Sequence, residues 1–416
     1  LHAADQADLV QLLNEGQREG LARALGPALH PETLSYLDEE VRRSLIELLG
    51  PDITGSLVAQ LDTDDAIGAL SDLEPAQQAS ILATLPIVDR AAIEQGLAFP
   101  ESSAGRLMQR EVVAVPDYWT VSQAIDFVRG KSDLPDEFYE VVIVDVRYRP
   151  VGAVPVSQVL RSAPGTPLRQ LQIKELRLVP AEMDQEQVAF LFRQYGLISA
   201  PVVDGSGRLL GVITVDDVVE VIQEEAEEDI LRLGGVRETD VFARPLSAGF
   251  RRMPWLVVNL GTALLGASVI AHFEDAIARA VSLAVLMPMV ASLGGNAGTQ
   301  AMTVAVRALA TRELTGANAW RTVTKELAIG ALNGTTFLLL GALLVGGWFG
   351  DVQLALVFGT ALAINLLVAN LAGVLIPLLV SRLGLDPAVS SGVFLTAVTD
   401  CTGFFLFLGL AVWLLL

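Results

Sequence analysis

The chain has 416 residues, with 28 Lys and Arg against 48 Asp and Glu and a formal net charge of −20, a balance that suits water and cations and does not suit nucleic acid. One cysteine and three histidines leave no disulfide framework within the chain and no His/Cys zinc cluster, so any metal is held by oxygen, as Mg2+, Ca2+ or Mn2+ are. The charge is uneven: residues 1–254 hold 22 basic and 41 acidic residues, residues 255–416 only 6 and 7.

Residues 1–100 read as short helices. "ADLVQLLNEG", "EEVRRSLIELLG", "DAIGALSDL" and "QASILATL" place apolar residues at three-four spacing, cut by Gly, Pro and Asp. "LLNEGQREGLARALG" and "YLDEEVRRSLIELLG" look like units of a repeated helical hairpin, which stack into a solenoid. No basic, apolar leader opens the chain, which reads as the lack of a secretory signal.

Residues 104–220 contain an internal repeat. "VVIVDVRYRPVGAVPVSQVL" (141–160) aligns without a gap onto "APVVDGSGRLLGVITVDDVV" (200–219), matching Asp145 with Asp204 and Gly152 with Gly211. Each half reads β-α-β-β-α and resembles a CBS domain, so the two form a CBS pair. Such pairs often bind adenine nucleotides; Thr214 and Asp217 have the spacing used for a ribose, and the alternative is a purely structural pair. Next, "DDVVEVIQEEAEEDILRLGG" (216–235) reads as a helix closed by Gly234 and Gly235, with Val218, Val219, Ile222, Ile230, Leu231 and Leu233 as its apolar positions. Its Glu220, Glu224 and Glu228 stand four apart, and such like-charge pairs cost about 0.2–0.5 kcal/mol each. A divalent cation would cancel that repulsion; a merely solvated acidic face is the other reading.

Five uncharged stretches follow, at 255–273, 280–306, 327–350, 352–381 and 387–416, each long enough to cross a bilayer. Arg251 and Arg252, then Arg307, Arg312, Arg321 and Lys325, then Arg382 place basic residues in alternate links, so the positive-inside rule puts the acidic part in the cytoplasm and the C-terminus outside. In the second stretch "MPMVASLGGNAGTQAMT" predicts broken backbone at Pro288 and Gly294, Gly295 and Gly298, beside the oxygens of Asn296, Thr299, Gln300 and Thr303; packing through small residues is the alternative. Asn365 and Asn370 add neutral oxygens in the fourth stretch. In the fifth, Asp400 is the sole charge. A charge at the bilayer centre costs about 2.5–3.5 kcal/mol on insertion scales, so it needs a task. Doubled by a twofold axis, two Asp400 with the groups around Thr396 and Thr399 would hold a hydrated Mg2+, which keeps several waters and takes one or two carboxylates.

With these segments in view the chain resembles the MgtE family of magnesium channels. "FPESSAGRLM", "TVDDVVEVIQEEAEEDILRLGG", "GGNAGTQ", "VRALATREL" and "DPAVSSGVFLTAVTDCTGFFLFLGLA" carry the likeness. It implies a multidomain membrane protein: an all-α N-terminal superhelix (1–103), an α/β CBS-domain pair (104–171 and 172–219), an acidic connecting or plug helix with its linker (220–253), and an α-helical membrane domain of five transmembrane helices (254–416). It implies a homodimer in the cytoplasmic membrane, with Asp400, Thr396, Thr399 and Asn296 in the pore. The same resemblance places cytosolic Mg2+ sensing on Asp184, Glu186, Asp217, Glu220, Glu225, Glu228 and Asp229, with Asp386 at the pore mouth. Gly196 stands where some relatives carry an aspartate, and Gly392 where an asparagine can occur. The expected activity is a Mg2+ channel closed by cytosolic Mg2+ and modulated by ATP; Mn2+, Co2+ and Ca2+ are other ions it would meet. No nucleophile–base set and no Gly-Lys phosphate loop points to an enzyme. An ion-coupled exchanger on the same scaffold and a membrane-anchored nucleotide sensor are the alternatives.

Overall fold

The computed structural model describes residues 1–131, 134–135, 137–173, 175–236 and 245–416; 237–244, part of the expected linker, lies outside them. The chain divides into two units, Leu1–Ala226 and Glu227–Leu416.

The first unit opens with α1 (Ala3–Leu12), α2 (Glu15–Leu25), α3 (Glu39–Val58), α4 (Thr63–Ser71), α5 (Pro75–Leu82) and α6 (Ile87–Leu97). Local signals set their ends. Asn14 and Gln17 form a reciprocal capping box at the start of α2. Gly50, at φ 76°, breaks α3 just ahead of Pro51, the residue suited to restart a helix. The helices share one apolar core, in which Leu34, Val41, Leu45, Ile67 and Leu70 are almost wholly buried.

After the short α7 (Ala104–Leu107) come two similar halves. The first is β1 (Ala114–Pro116), α8 (Val121–Gly130), β2 (Glu140–Val144), β3 (Pro150–Pro155) and α9 (Val156–Arg161). The second is β4 (Val179–Pro180), α10 (Gln185–Tyr195), β5 (Ser199–Val203), β6 (Leu209–Thr214) and α11 (Val215–Leu233). In each sheet the first strand is parallel to the second and the second antiparallel to the third. The hairpin turns repeat the same chemistry. Asp145 accepts from the amides of Arg147 and Arg149, and Asp204 from those of Ser206 and Arg208. Each turn has one left-handed residue, Gly207 at φ 79° and Tyr148 at φ 60°. They are equivalent in the repeat, so Tyr148 bears a side chain where glycine is at ease, a strain of about 1–2 kcal/mol. The last helix of the second half is itself the acidic helix: α11 runs unbroken through the expected boundary at 219/220.

The second unit holds α12 (Pro245–His272), the short α13 (Glu274–Arg279), α14 (Val281–Ala310), α15 (Ala319–Phe349), α16 (Val352–Arg382) and α17 (Pro387–Leu414). Five of these are long and apolar enough to cross a membrane; at 1.5 Å per residue even the 23-residue span Gly392–Leu414 of α17 exceeds a hydrocarbon core of about 30 Å.

The expected break in the second span is corrected. α14 is one continuous helix through Pro288 and the glycines. Two of its glycines, Gly294 and Gly298, allow close approach, while Gly295 faces open space. A Cβ on Gly294 would lie 2.3 Å from Asn365 Nδ2, and one on Gly298 2.8 Å from Leu395. Across the seam, one on Gly373 would lie 2.6 Å from the Gly298 carbonyl. Packing forces outweigh the local cost of glycine, about 1 kcal/mol each.

Candidate ion path and acidic sensor

Asp400 sits mid-way along α17, half-buried. Its Cβ lies 3.8 Å from where a Cβ on Gly266 of α12 would stand, so α12 runs beside the carboxylate at ordinary contact distance. Three threonines surround it in sequence, yet each hydroxyl donates to a carbonyl of its own helix: Thr396 to Gly392 at 3.0 Å, Thr399 to Leu395 at 3.0 Å, and Thr402 to Val398. Among the described residues Asp400 therefore has no hydrogen-bond or ion-pair partner. A carboxylate left unsatisfied in an apolar bundle is costly.

The expected pore residues separate into two groups. Thr396 is exposed and shares a helical face with Asp400, four residues on. Thr399 is fully buried, which removes it from any surface shared with Thr396. On α14, Ser292, Asn296, Thr299, Gln300 and Thr303 are all exposed and spaced along one face. The opposite face, with Val290, Gly294, Ala297, Gly298 and Ala301, is buried. Asn365 and Asn370, read from sequence as path oxygens, are buried instead. Asn365 donates to the Val290 carbonyl at 3.1 Å and Asn370 to Leu366 at 2.8 Å. α14 and α17 run antiparallel: the space beside Gly298 is filled by Leu395, and that beside Gly403 by Val290. Interpolating between these contacts sets Asn296 within about one helical turn of Asp400 along the axis.

One more acid belongs to the membrane helices. The expected third span began at 327, but α15 starts at Ala319. Glu326 thus lies inside it and is buried, on the same face as Val323, Gly330 and Gly334.

The last turn of α11 carries a second feature. Arg232 bridges Glu228 and Asp386. Asp386 is also the N-cap of α17, its Oδ1 accepting from the Ala388 amide at 2.8 Å. Leu233 packs with Met302, Val306, Ala372, Ala388 and Leu395. Gly235, at φ 73°, clears the indole of Trp255, where a Cβ would lie 1.9 Å from Nε1. One helical turn is thus tied to α12, α14, α16 and α17.

In the first unit a cavity of about 370 Å³ is lined by seven carboxylates, Asp64, Asp65, Asp72, Glu101, Asp217, Glu220 and Glu224, against only Arg42 and Arg106. Arg42 is engaged with Asp72. Asp64 and Asp65 stand in the first turn of α4, where acids suit the helix dipole. Their chain partners from α11 were legible as an acidic helix; their own part was missed, because two aspartates at a helix start look like ordinary capping. Burial holds Asp64 well above the usual carboxylate range, with Asp217 and Asp65 adding to it. Asp217 is pushed up to about 7 by burial, then by Asp216 and Asp65, against the pull of its Thr214 hydrogen bond. Burial, then Asp65, Glu224 and Asp216, raises Glu220. One oxygen of Asp64 is buried without a hydrogen-bond partner. Among the described residues no three carboxylates converge closely enough to chelate an ion together. The donors are carboxylates throughout, and the orphaned oxygen of Asp64 is a free hard ligand, so the set fits Mg2+ with its waters, which needs only one or two carboxylates directly.

The other expected sensor positions have local partners. Asp184 caps α10, accepting from the Glu186 amide at 2.9 Å. Glu225 accepts from Gln185 Nε2 at 2.8 Å. Glu228 faces Arg232, and Asp229 is half-buried one position on. Thr214 donates its hydroxyl to Asp217 at 2.8 Å. Their spacing is that of a capping box at the start of α11, so the ribose-like pattern has a structural cause as well.

Comparison with known proteins bears on both sites. Residues 1–102 match the family described as the MgtE intracellular N domain, 168–224 the CBS domain, and 287–410 a divalent cation transporter family named MgtE. The magnesium transporter MgtE of Enterococcus faecalis is 34% identical over 319 residues, 77% of this chain and 70% of that protein. That of Thermus thermophilus is 34% identical over 352 residues, 83% of this chain and 78% of that protein. A crystal structure of the cytosolic domain of the Mg2+ channel MgtE in complex with ATP is 30% identical, with a TM-score of 0.50, and covers 53% of this chain and 90% of its own.

Proposed function

We propose a transport mechanism from one premise: the chain belongs to the MgtE family of magnesium transporters, and it is a membrane protein that transports Mg2+. In our reading it is a channel. Hydrated Mg2+ passes into the cytoplasm along a path lined by the polar face of α14, with Asn296, and by Thr396 and Asp400 of α17. The observation that carries this is Asp400 itself, an acid in an apolar bundle whose neighbouring threonine hydroxyls donate to backbone carbonyls instead of to it. A hydrated cation supplies what the protein withholds. The exposed stripe on α14 supports a twofold partner, since polar side chains facing lipid are costly. Two copies of Asp400 would then hold the ion weakly enough for release. The basic links support a cytoplasmic N-terminal part, an external C-terminus and insertion in the cytoplasmic membrane.

Closure would follow cytosolic Mg2+. The ion binds among Asp64, Asp65, Asp217 and Glu220, offsetting their mutual repulsion, while Asp184, Glu186, Glu225 and Asp229 widen the acidic field. One helix, α11, carries both this acidic face and the Arg232 bridge to Asp386, the N-cap of α17. Exposed Val219, Ile222 and Ile230 on α11 support contact with a second copy. ATP would act as a regulator at the CBS pair, as a bound ligand of the related cytosolic domain; calorimetry with ATP tests it. The deciding experiment records Mg2+ current from patches with cytosolic Mg2+ stepped. Asp400→Asn should abolish current with the protein still assembled, and an unchanged current would remove the pore assignment. Ion-coupled exchange is a second reading, favoured by buried Glu326; Mg2+ flux in liposomes without Na+ or H+ gradients separates the two.

A further inference from the structure

Asn365 stands in the middle of α16 with 0% of its surface exposed. Its Nδ2 donates to the Val290 carbonyl of α14 at 3.1 Å, and its Oδ1 lies 3.5 Å from the Thr402 hydroxyl of α17. Both flanking helices make room for the amide with a glycine. A Cβ on Gly294 of α14 would lie 2.3 Å from Nδ2, and one on Gly403 of α17 2.7 Å from it. These are well inside contact distance, so neither position accepts even alanine unless the amide moves. Gly403 is three residues beyond Asp400, under one helical turn. The amide therefore wedges between the two helices that carry Asn296, Thr396 and Asp400, at the level of the carboxylate.

We propose that Asn365 is a positioning residue for ion passage: its amide, seated between Gly294 and Gly403, sets the separation of α14 and α17 beside Asp400 and so the aperture that selects the cation. This rests on the channel reading above. Asn365 touches no ion; it acts through the helices it spaces. A buried amide is held in this register because leaving its donor or acceptor unpaired in an apolar bundle is expensive. An aliphatic side chain of similar size fills the space and keeps the packing, but has no reason to hold that register.

The test uses the full chain in liposomes with an entrapped Mg2+ indicator, measuring Mg2+ influx and its ratio to Co2+ influx. Wild type is compared with Asp400→Asn, Asn365→Leu, Gly294→Ala and the double variant Gly294→Ala/Asn365→Ala. Asn365→Leu and Gly294→Ala should each cut Mg2+ influx about tenfold, equivalent to about 1.4 kcal/mol, and shift the Mg2+/Co2+ ratio. The double variant should recover influx and ratio toward wild type, because the new methyl group occupies the space the amide has left. Wild-type influx and ratio in Asn365→Leu overturn the proposal. So does a loss of influx at an unchanged ratio, the mark of a merely structural part. Should Asn365→Leu fail to fold, the glycine pair decides: rescue by the double variant supports the inference, and a double variant no better than Gly294→Ala overturns it. Wild-type influx in Asp400→Asn would instead bring down the channel reading itself, whereas a silent Asp400→Asn beside fully active Asn365 variants brings down only the present inference.

Discussion

The acidic cavity of the first unit and the lone carboxylate of α17 meet the same problem, charge in a poor solvent, in opposite ways. Burial first, and neighbouring carboxylates second, raise the proton affinity of Asp64 and Asp217. A cation that binds one or two of these carboxylates also offsets the field of the others, so occupancy would change the local energy. At Asp400 there is one acid and, among the described residues, no hydrogen-bond donor from the protein. An ion there gains little beyond one contact per chain, which suits passage rather than retention. In the function proposed above, crowding suits a sensor and isolation suits a route.

The largest expected effect tests that division directly. Asp400→Asn should silence Mg2+ current, whereas Asp217→Asn should leave the maximal current in place and raise the cytosolic Mg2+ needed for closure; a silent Asp217→Asn would erase the contrast. Next comes the tie at the pore mouth. Arg232→Gln removes two part-exposed ion pairs worth up to about 1 kcal/mol each, so the half-closing Mg2+ concentration should rise several-fold in current recordings. An unshifted closure curve would show that the bridge to Asp386 does not transmit closure.

A pH series sharpens the comparison further. Asp64 and Asp217 bind protons in the folded protein at pH values where they would be ionised when unfolded. The unfolded state then holds fewer protons, so stability falls as pH rises: for Asp217 from about 4, the ordinary carboxylate value, to about 7, with Asp64 acting in the same direction. The Asp217 part of the loss is complete above that window and absent below it. Mg2+ competes for the ionised form, so it should raise the melting temperature of the full chain more at pH 8 than at pH 5.5. A larger shift at the lower pH would contradict a carboxylate sensor. The smallest effect belongs to Thr214. Thr214→Ala removes the hydroxyl's hydrogen bond to Asp217, worth about 1.5–3 kcal/mol with an ionised partner and less with a protonated one, and should lower the melting temperature by a few degrees; a calorimetric titration with ATP on the same variant separates this structural part from nucleotide binding.

Much of the architecture was legible without coordinates, because it rests on local and periodic signals. Five apolar stretches are long enough to span a bilayer by length alone, the offset of 59 residues between Asp145 and Asp204 betrays the duplicated half, and Gly234–Gly235 marks the end of α11. The resemblance carried by "GGNAGTQ" and the Asp400 segment pointed to magnesium transport. What only tertiary structure decided is how those elements meet. The glycines of α14 look like a break in sequence, and Gly294 and Gly298 prove to be seats for Asn365 and Leu395. Thr399 and Asn365 look like path oxygens and are buried. Asp64, Asp65 and Arg232 gain their roles from residues distant in the chain. A stretch of sequence shows the period and polarity of its own helix, but not which partner fills the space beside it, and that space determines which side chains are left to meet an ion.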